Sequence, residues 1–210
     1  RSFSDPSKVF CMLGNHDVRS TRNWTNNREE YKKNSPNSPY EQEIRQRYLK
    51  YNAKYRPGDK DAEKSVFYSK IINGIKFIIL NTDEGLKDCT YFGPEQIAWL
   101  KAELKSSSKA NKPIFVINHQ ALNNTHWRSN QISGFGEQDA EVKQILNLYP
   151  NVFYISGHIH NGFGVAEIVN RPFGVTVDIP SYLHSENGIL DNGQAYYVKV
   201  YPNYVLFEAW

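Results

Sequence analysis

The sequence predicts an α/β fold in which layered sheets are flanked by helices. Three observations lead there. Short β-rich runs alternate with two helical patterns through the middle of the chain, the last third is almost all strand-like, and strand-like runs end in polar loops that carry histidine. The composition agrees, since 210 residues with 40% apolar and 14% aromatic content suffice for one compact domain with its own core. Disorder is excluded.

Taken in order, residues 8–13 form a short apolar run that breaks into Gly14-Asn15-His16-Asp17, which reads as a strand opening into a polar loop. Residues 20–61 turn polar and Asn-rich, with Pro36, Pro39 and Pro57 around one charged segment whose Tyr40, Ile44, Tyr48 and Tyr51 have helical spacing. We read this stretch as an inserted cap within a single domain spanning residues 1–210. Residues 65–72 and 75–82 are β-rich and joined by Asn73-Gly74, a dipeptide that tolerates the positive φ angles of a type I′ hairpin turn. Gly93-Pro94-Glu95 opens a helix with proline where its missing N–H costs little, and Ile97, Leu100 and Leu104 form the buried stripe. Residues 113–118 are a buried strand. A second helix over 137–149 carries Val142, Ile145, Leu146 and Tyr149 on one face, and Pro150 ends it. Residues 151–156 form the next strand, and 162–169, 173–179, 195–201 and 204–210 complete the β-rich tail.

Charge narrows the partners. The 25 Lys and Arg against 22 Asp and Glu leave a net charge of +3, scattered without a basic cluster interleaved with aromatics, which argues against nucleic acid. No apolar run approaches the roughly 20 residues that cross a bilayer. Cys11 and Cys89 lack metal-type spacing, and a reduced thiol at Cys11 is expected rather than a bridge. The compartment is left open.

The chemistry gathers at three strand ends. The run before Gly14 delivers Asn15 and His16, the run before His119 delivers that histidine, and the run before Gly157 delivers His158 and His160. Ligands of open α/β sheets collect outside the carboxyl ends of strands, and imidazole and amide oxygen suit Mn, Fe or Zn. Singly, such histidines are usually capping or surface residues, and Gly-Asn is usually a turn. Their joint occurrence is what points to a metal site.

Gly14-Asn15-His16-Asp17, then His119, then Gly157-His158-Ile159-His160 resemble the third, fourth and fifth blocks of the calcineurin-like metallophosphoesterases, the superfamily that includes purple acid phosphatases and many phosphodiesterases. The helix start Gly-Pro-Glu-Gln-Ile-Ala-Trp-Leu and the β-rich end fit as well. The resemblance implies a sandwich of two mixed sheets flanked by helices, with a dinuclear site at the strand ends. It implies that Asn15, His119 and His158 bind one metal and His160 the other. His16 would act on the scissile phosphate as acid or charge stabiliser, with Asp17 hydrogen-bonded to it. Hydrolysis would be direct, by a metal-activated water, with no serine or cysteine nucleophile.

The pattern departs in one respect. Only thirteen residues precede Gly14, so the Asp-x-His and Gly-Asp blocks that would supply the bridging carboxylate are absent. The expectation is therefore a chain lacking the N-terminal β-α-β segment of the fold, impaired on its own, binding at most one ion weakly and self-associating through exposed sheet edges, unless Asp83 or Glu84 substitutes. Arg19, and His126, Trp127 and Arg128 in the loop after His119, are expected to contact a small phosphate-ester substrate. The competing reading is a degenerate, non-catalytic module of the same fold, acting in binding or assembly.

Overall fold

The computed structural model describes residues 8–19, 24–34, 39–108, 112–131 and 134–210. In chain order it contains α1 (Asn15–Val18), α2 (Arg28–Asn34), α3 (Pro39–Ala53), β1 (Tyr68–Ile72), β2 (Ile75–Ile79), α4 (Pro94–Ser107) and β3 (Ile114–Ile117). It continues with α5 (Asp139–Leu146), β4 (Val152–Ser156), β5 (Ile168–Arg171), β6 (Gly174–Asp178), β7 (Tyr196–Val200) and β8 (Val205–Ala209).

Six strands form one mixed sheet in the order β1-β2-β3-β4-β6-β5, and β7 pairs with β8 in a second, two-stranded sheet. The run β2-β3-β4-β6 is parallel, while β1 and β5 join antiparallel at the edges. The β1–β2 hairpin turns on Asn73 and Gly74, whose φ angles of 52° and 76° are the positive pair that a type I′ turn requires.

The two faces of the large sheet are covered differently. On one face, Ile78, Leu80, Ile114, Val116, Val152 and Tyr154 meet Ile97, Leu100 and Leu104 of α4 and Val142, Ile145 and Leu146 of α5. Each fully buried aliphatic side chain there contributes roughly 1.5–3 kcal/mol. On the other face, Phe77, Phe115 and Phe153 occupy one cross-strand row, with Phe10 against Phe77 and Phe207 of β8 against Phe153. The small sheet thus leans on the large one through an aromatic ladder.

Three expectations are corrected. Residues 9–13 are not a strand, because β2 already has β1 on one side and β3 on the other. Their backbone groups are met by side chains instead: Cys11 O accepts from the Tyr48 and Tyr68 hydroxyls, and Leu13 N donates to Asn81 Oδ1 at 2.5 Å. Residues 162–166 are a turn, with Ala166 N donating to Gly162 O at 2.9 Å, so the strand starts only at Ile168. Helix α5 stops at Leu146, three residues before Tyr149, and residues 147–149 close in tight turns. Strand β4, which ends just before Gly157, has β3 and β6 on either side, so among the described residues the open edges of the six-stranded sheet are those of β1 and β5.

The stretch 20–61 contributes α2 and α3. Tyr48 and Leu49 of α3 pack on Leu13, Val18 and Val66, which presses this helix onto the loop of the first motif. Residues 20–23 and 35–38 of that stretch lie outside the described residues. Both cysteines are free thiols. Among the described residues, no helix is long and apolar enough to cross a membrane.

Candidate active site

The parallel strands deliver their polar residues to one edge of the sheet. Beyond β3 stands His119, beyond β4 stand His158 and His160, and the chain between residue 13 and α1 brings Asn15 alongside. Asn15 Oδ1 lies 3.1 Å from His119 Nε2, and His119 Nε2 lies 3.2 Å from His158 Nδ1. The two rings meet edge to face with centroids 5.0 Å apart. Gly14 permits this approach, because a Cβ on it would stand 3.1 Å from His119 Cε1 and Nε2. Burial, followed by repulsion from the neighbouring histidines, lowers the pKa of His119 to about 3, so its imidazole is neutral.

The turn that carries the other two histidines is strained. His158 and His160 have φ angles of 69° and 52°, a left-handed conformation that costs a non-glycine residue roughly 1–2 kcal/mol each. The loop after residue 180 holds it in place: Glu186 N donates to His160 O, Ser181 N to Asn161 O and Gly162 N to Asn187 O.

The amide of Asn15 is oriented by its surroundings. Its Nδ2 faces two acceptors, Lys87 O at 3.1 Å and Asp88 Oδ1 at 3.2 Å, which leaves Oδ1 for His119. The same Asp88 oxygen takes Arg19 Nη1 at 3.3 Å, and Arg19 Nη2 reaches His16 Nδ1 at 2.9 Å. A guanidinium only donates, so His16 Nδ1 is the acceptor and its proton sits on Nε2. Burial, then the positive charge of Arg19, lowers the His16 pKa. Asp17 does not touch His16 as expected; its Oδ2 accepts from Gly14 N at 2.8 Å and closes the first turn of α1.

The remaining residues singled out from the sequence fall in several places. Arg19 is held by Asp88 and lies 4.2 Å over the ring of the exposed Trp24. Arg128 donates to Ile159 O at 3.0 Å and pairs with Glu186, so it grips the turn between the two histidines. His126 is buried beside Glu167, 3.6 Å away, and its charged neighbours are Glu167 and Arg171 rather than the site histidines. Trp127 is half exposed. Asp83 and Glu84 lie near the site edge after β2 but are engaged elsewhere, Asp83 by Gly93 N and Gln96 and Glu84 by Arg28.

Among the described residues, no group of three or more His, Cys, Asp or Glu side chains is arranged to hold a metal. The converging set is two imidazoles and an amide. Its chemistry nonetheless fits one divalent cation: three neutral donors lie in successive contacts of 3.1 and 3.2 Å, and ligands bonded at roughly 2.0–2.1 Å sit about 3 Å from one another.

A family profile described as calcineurin-like phosphoesterase matches residues 2–162. The chain belongs to the calcineurin-like phosphoesterase family. Hydrolysis of phosphate esters with divalent metals is the general chemistry of that family, and the chain carries three of its blocks. Among solved structures, a dimetal phosphatase from Danio rerio is similar, at 13% identity and a TM-score of 0.53, and the similarity supports the fold. That match covers 65% of this chain but only 56% of the zebrafish protein. No curated protein matches significantly.

Sequence reasoning missed Asp88 and Glu186. Neither sits in a block or a periodic pattern, and only the folded chain brings them to the motif residues.

Proposed function

We propose that this calcineurin-like phosphoesterase hydrolyses small phosphate esters, mono- or diesters, at the edge where Asn15, His119 and His158 meet. The observation that carries the reading is the contact chain Asn15 Oδ1, His119 Nε2, His158 Nδ1. These three atoms would hold one divalent cation, Mn, Fe or Zn. Bound there, it would supply Lewis acidity toward a phosphate oxygen and toward water. A second ion would take His160, for which the described residues offer no carboxylate partner set.

His16 has the proton-handling role. Arg19 keeps its Nδ1 as acceptor, so Nε2–H is the group free to donate to a phosphoryl oxygen or to the leaving oxygen. Arg19 is thereby a positioning residue and Arg128 a brace of the histidine turn, while Trp24 and Trp127 present exposed rings for an ester substituent. In this reading residues 20–61 act as a cap that sets substrate choice.

A specific observation favours the second reading, a non-catalytic module: the absence of a three-membered His, Cys, Asp or Glu cluster among the described residues. The two are separated by titrating Mn, Fe or Zn into the purified chain and assaying aryl phosphate mono- and diesters. The enzyme reading expects one weakly held ion, measurable turnover and loss of most of it in His158→Ala. Ion binding without turnover on either ester favours the module.

A further inference from the structure

The carboxylate of Glu186 lies in a loop that neither the motifs nor the proton-handling scheme uses, yet it meets the last motif histidine at close range. Its Oε1 is 2.7 Å from His160 Nδ1, its Oε2 is paired with Arg128, and its backbone N donates to His160 O at 2.8 Å. One residue therefore grips both the ring and the backbone of His160, whose φ of 52° needs such support. Arg128, mostly buried, ties the same carboxylate to Ile159 O, so the grip is itself anchored.

We propose that Glu186 is a positioning residue that selects the tautomer of His160: the carboxylate accepts from Nδ1–H, and the lone pair is left on Nε2 for a cation. An ionised carboxylate can only accept, so a neutral His160 in this contact must carry its proton on Nδ1. The paired guanidinium favours the ionised carboxylate. A ligand histidine whose other ring nitrogen donates to a carboxylate is oriented and made more basic by it. The inference rests on the reading of His160 as a cation contact, and the experiment separates the two claims.

The test uses the 210-residue chain labelled with ¹⁵N-histidine, without added metal, and reads ring nitrogen shifts, with His160→Gln assigning the signals. Wild type is expected to show Nδ1–H at His160, Glu186→Ala a mixture of tautomers, and Glu186→Gln, which retains an acceptor oxygen, the wild-type form. Cobalt(II) titration, followed through the paramagnetic broadening of the His160 ring signals rather than those of His119 and His158, is then expected to need roughly 10–100-fold more metal in Glu186→Ala, with Glu186→Gln in between. Backbone amide spectra confirm that each variant is folded, and Arg128→Ala should reproduce part of the tautomer change. An Nε2–H tautomer in wild type, or an unchanged one in Glu186→Ala, overturns the proposal. So does a changed tautomer with the cobalt response of the His160 signals unaltered within twofold. If cobalt leaves the His160 ring signals of wild type unperturbed, the reading of His160 as a cation contact fails, while the ring spectra still decide the tautomer.

Discussion

Replacing Asp88 by alanine should damage stability and the candidate site together. Its carboxylate is 8% exposed and accepts from three side chains, Asn15 Nδ2 at 3.2 Å and Arg19 Nη1 at 3.3 Å on Oδ1, and Asn26 Nδ2 at 3.2 Å on Oδ2. Hydrogen bonds to a charged group are each worth about 1.5–3 kcal/mol, and breaking a buried pair by removing one partner costs about 3–5 kcal/mol. The Arg19 guanidinium, 15% exposed, would lose its carboxylate and keep Lys87 O at 3.5 Å, His16 and the Trp24 ring. We therefore expect a loss of about 3–5 kcal/mol in urea unfolding at pH 7, followed by tryptophan fluorescence. Asn15 would also lose one of the two acceptors that aim its oxygen at His119, so Mn or Zn affinity should fall roughly 10–100-fold. Asp88→Asn keeps an acceptor oxygen and should lie between. A stability loss under about 1 kcal/mol, the range of an exposed ion pair, with unchanged cation affinity would refute the reasoning.

Gly14→Ala would press a methyl group against the His119 ring, 3.1 Å from Cε1 and Nε2, and should weaken cation binding measured by titration at least as much as it lowers unfolding stability. His16→Asn should lower turnover of an aryl phosphate by roughly 10²–10⁴-fold while metal content per chain stays at the wild-type value, since His16 handles a proton and holds no cation in this scheme. The pH dependence of unfolding should carry the signature of His126, whose pKa burial lowers to about 4 from the 6.5 of the unfolded chain. The unfolded state takes its proton first, so this contribution is complete above pH 6.5 and is lost as pH falls to 4, by about 3 kcal/mol. His126→Gln should flatten the slope in that window, and an unchanged slope would show that the buried imidazole does not control it.

Much of this architecture is written locally. Asn73-Gly74 specifies the hairpin because few other dipeptides accept two positive φ angles in succession, and Pro94 with Ile97, Leu100 and Leu104 specifies α4 because start signal and stripe agree. The histidines after β3 and β4 were legible for the same reason, since a buried apolar run followed by Gly or His marks a strand end without any knowledge of what lies beside it. The family resemblance also needs only the order of three short blocks.

What the tertiary structure alone decided depends on partners distant in the chain. Residues 9–13 have the pattern of a strand, yet β2 has no free side for them, and that depends on how β1 and β3 pair. Arg19 and Arg128 look like free substrate contacts until folding brings Asp88, 69 positions away, to the first and Glu186, 58 positions away, to the second. Asp88 also reaches Asn15 across 73 positions. A lone carboxylate in a polar loop has no periodicity and no local conformational preference, and its energetic weight comes from the low-dielectric neighbourhood that the folded chain builds around it. The strand ends before His119 and Gly157 and the Asn73-Gly74 turn are therefore determined by the sequence itself, whereas the carboxylates that orient the site residues are decided only when the sheet edge is assembled.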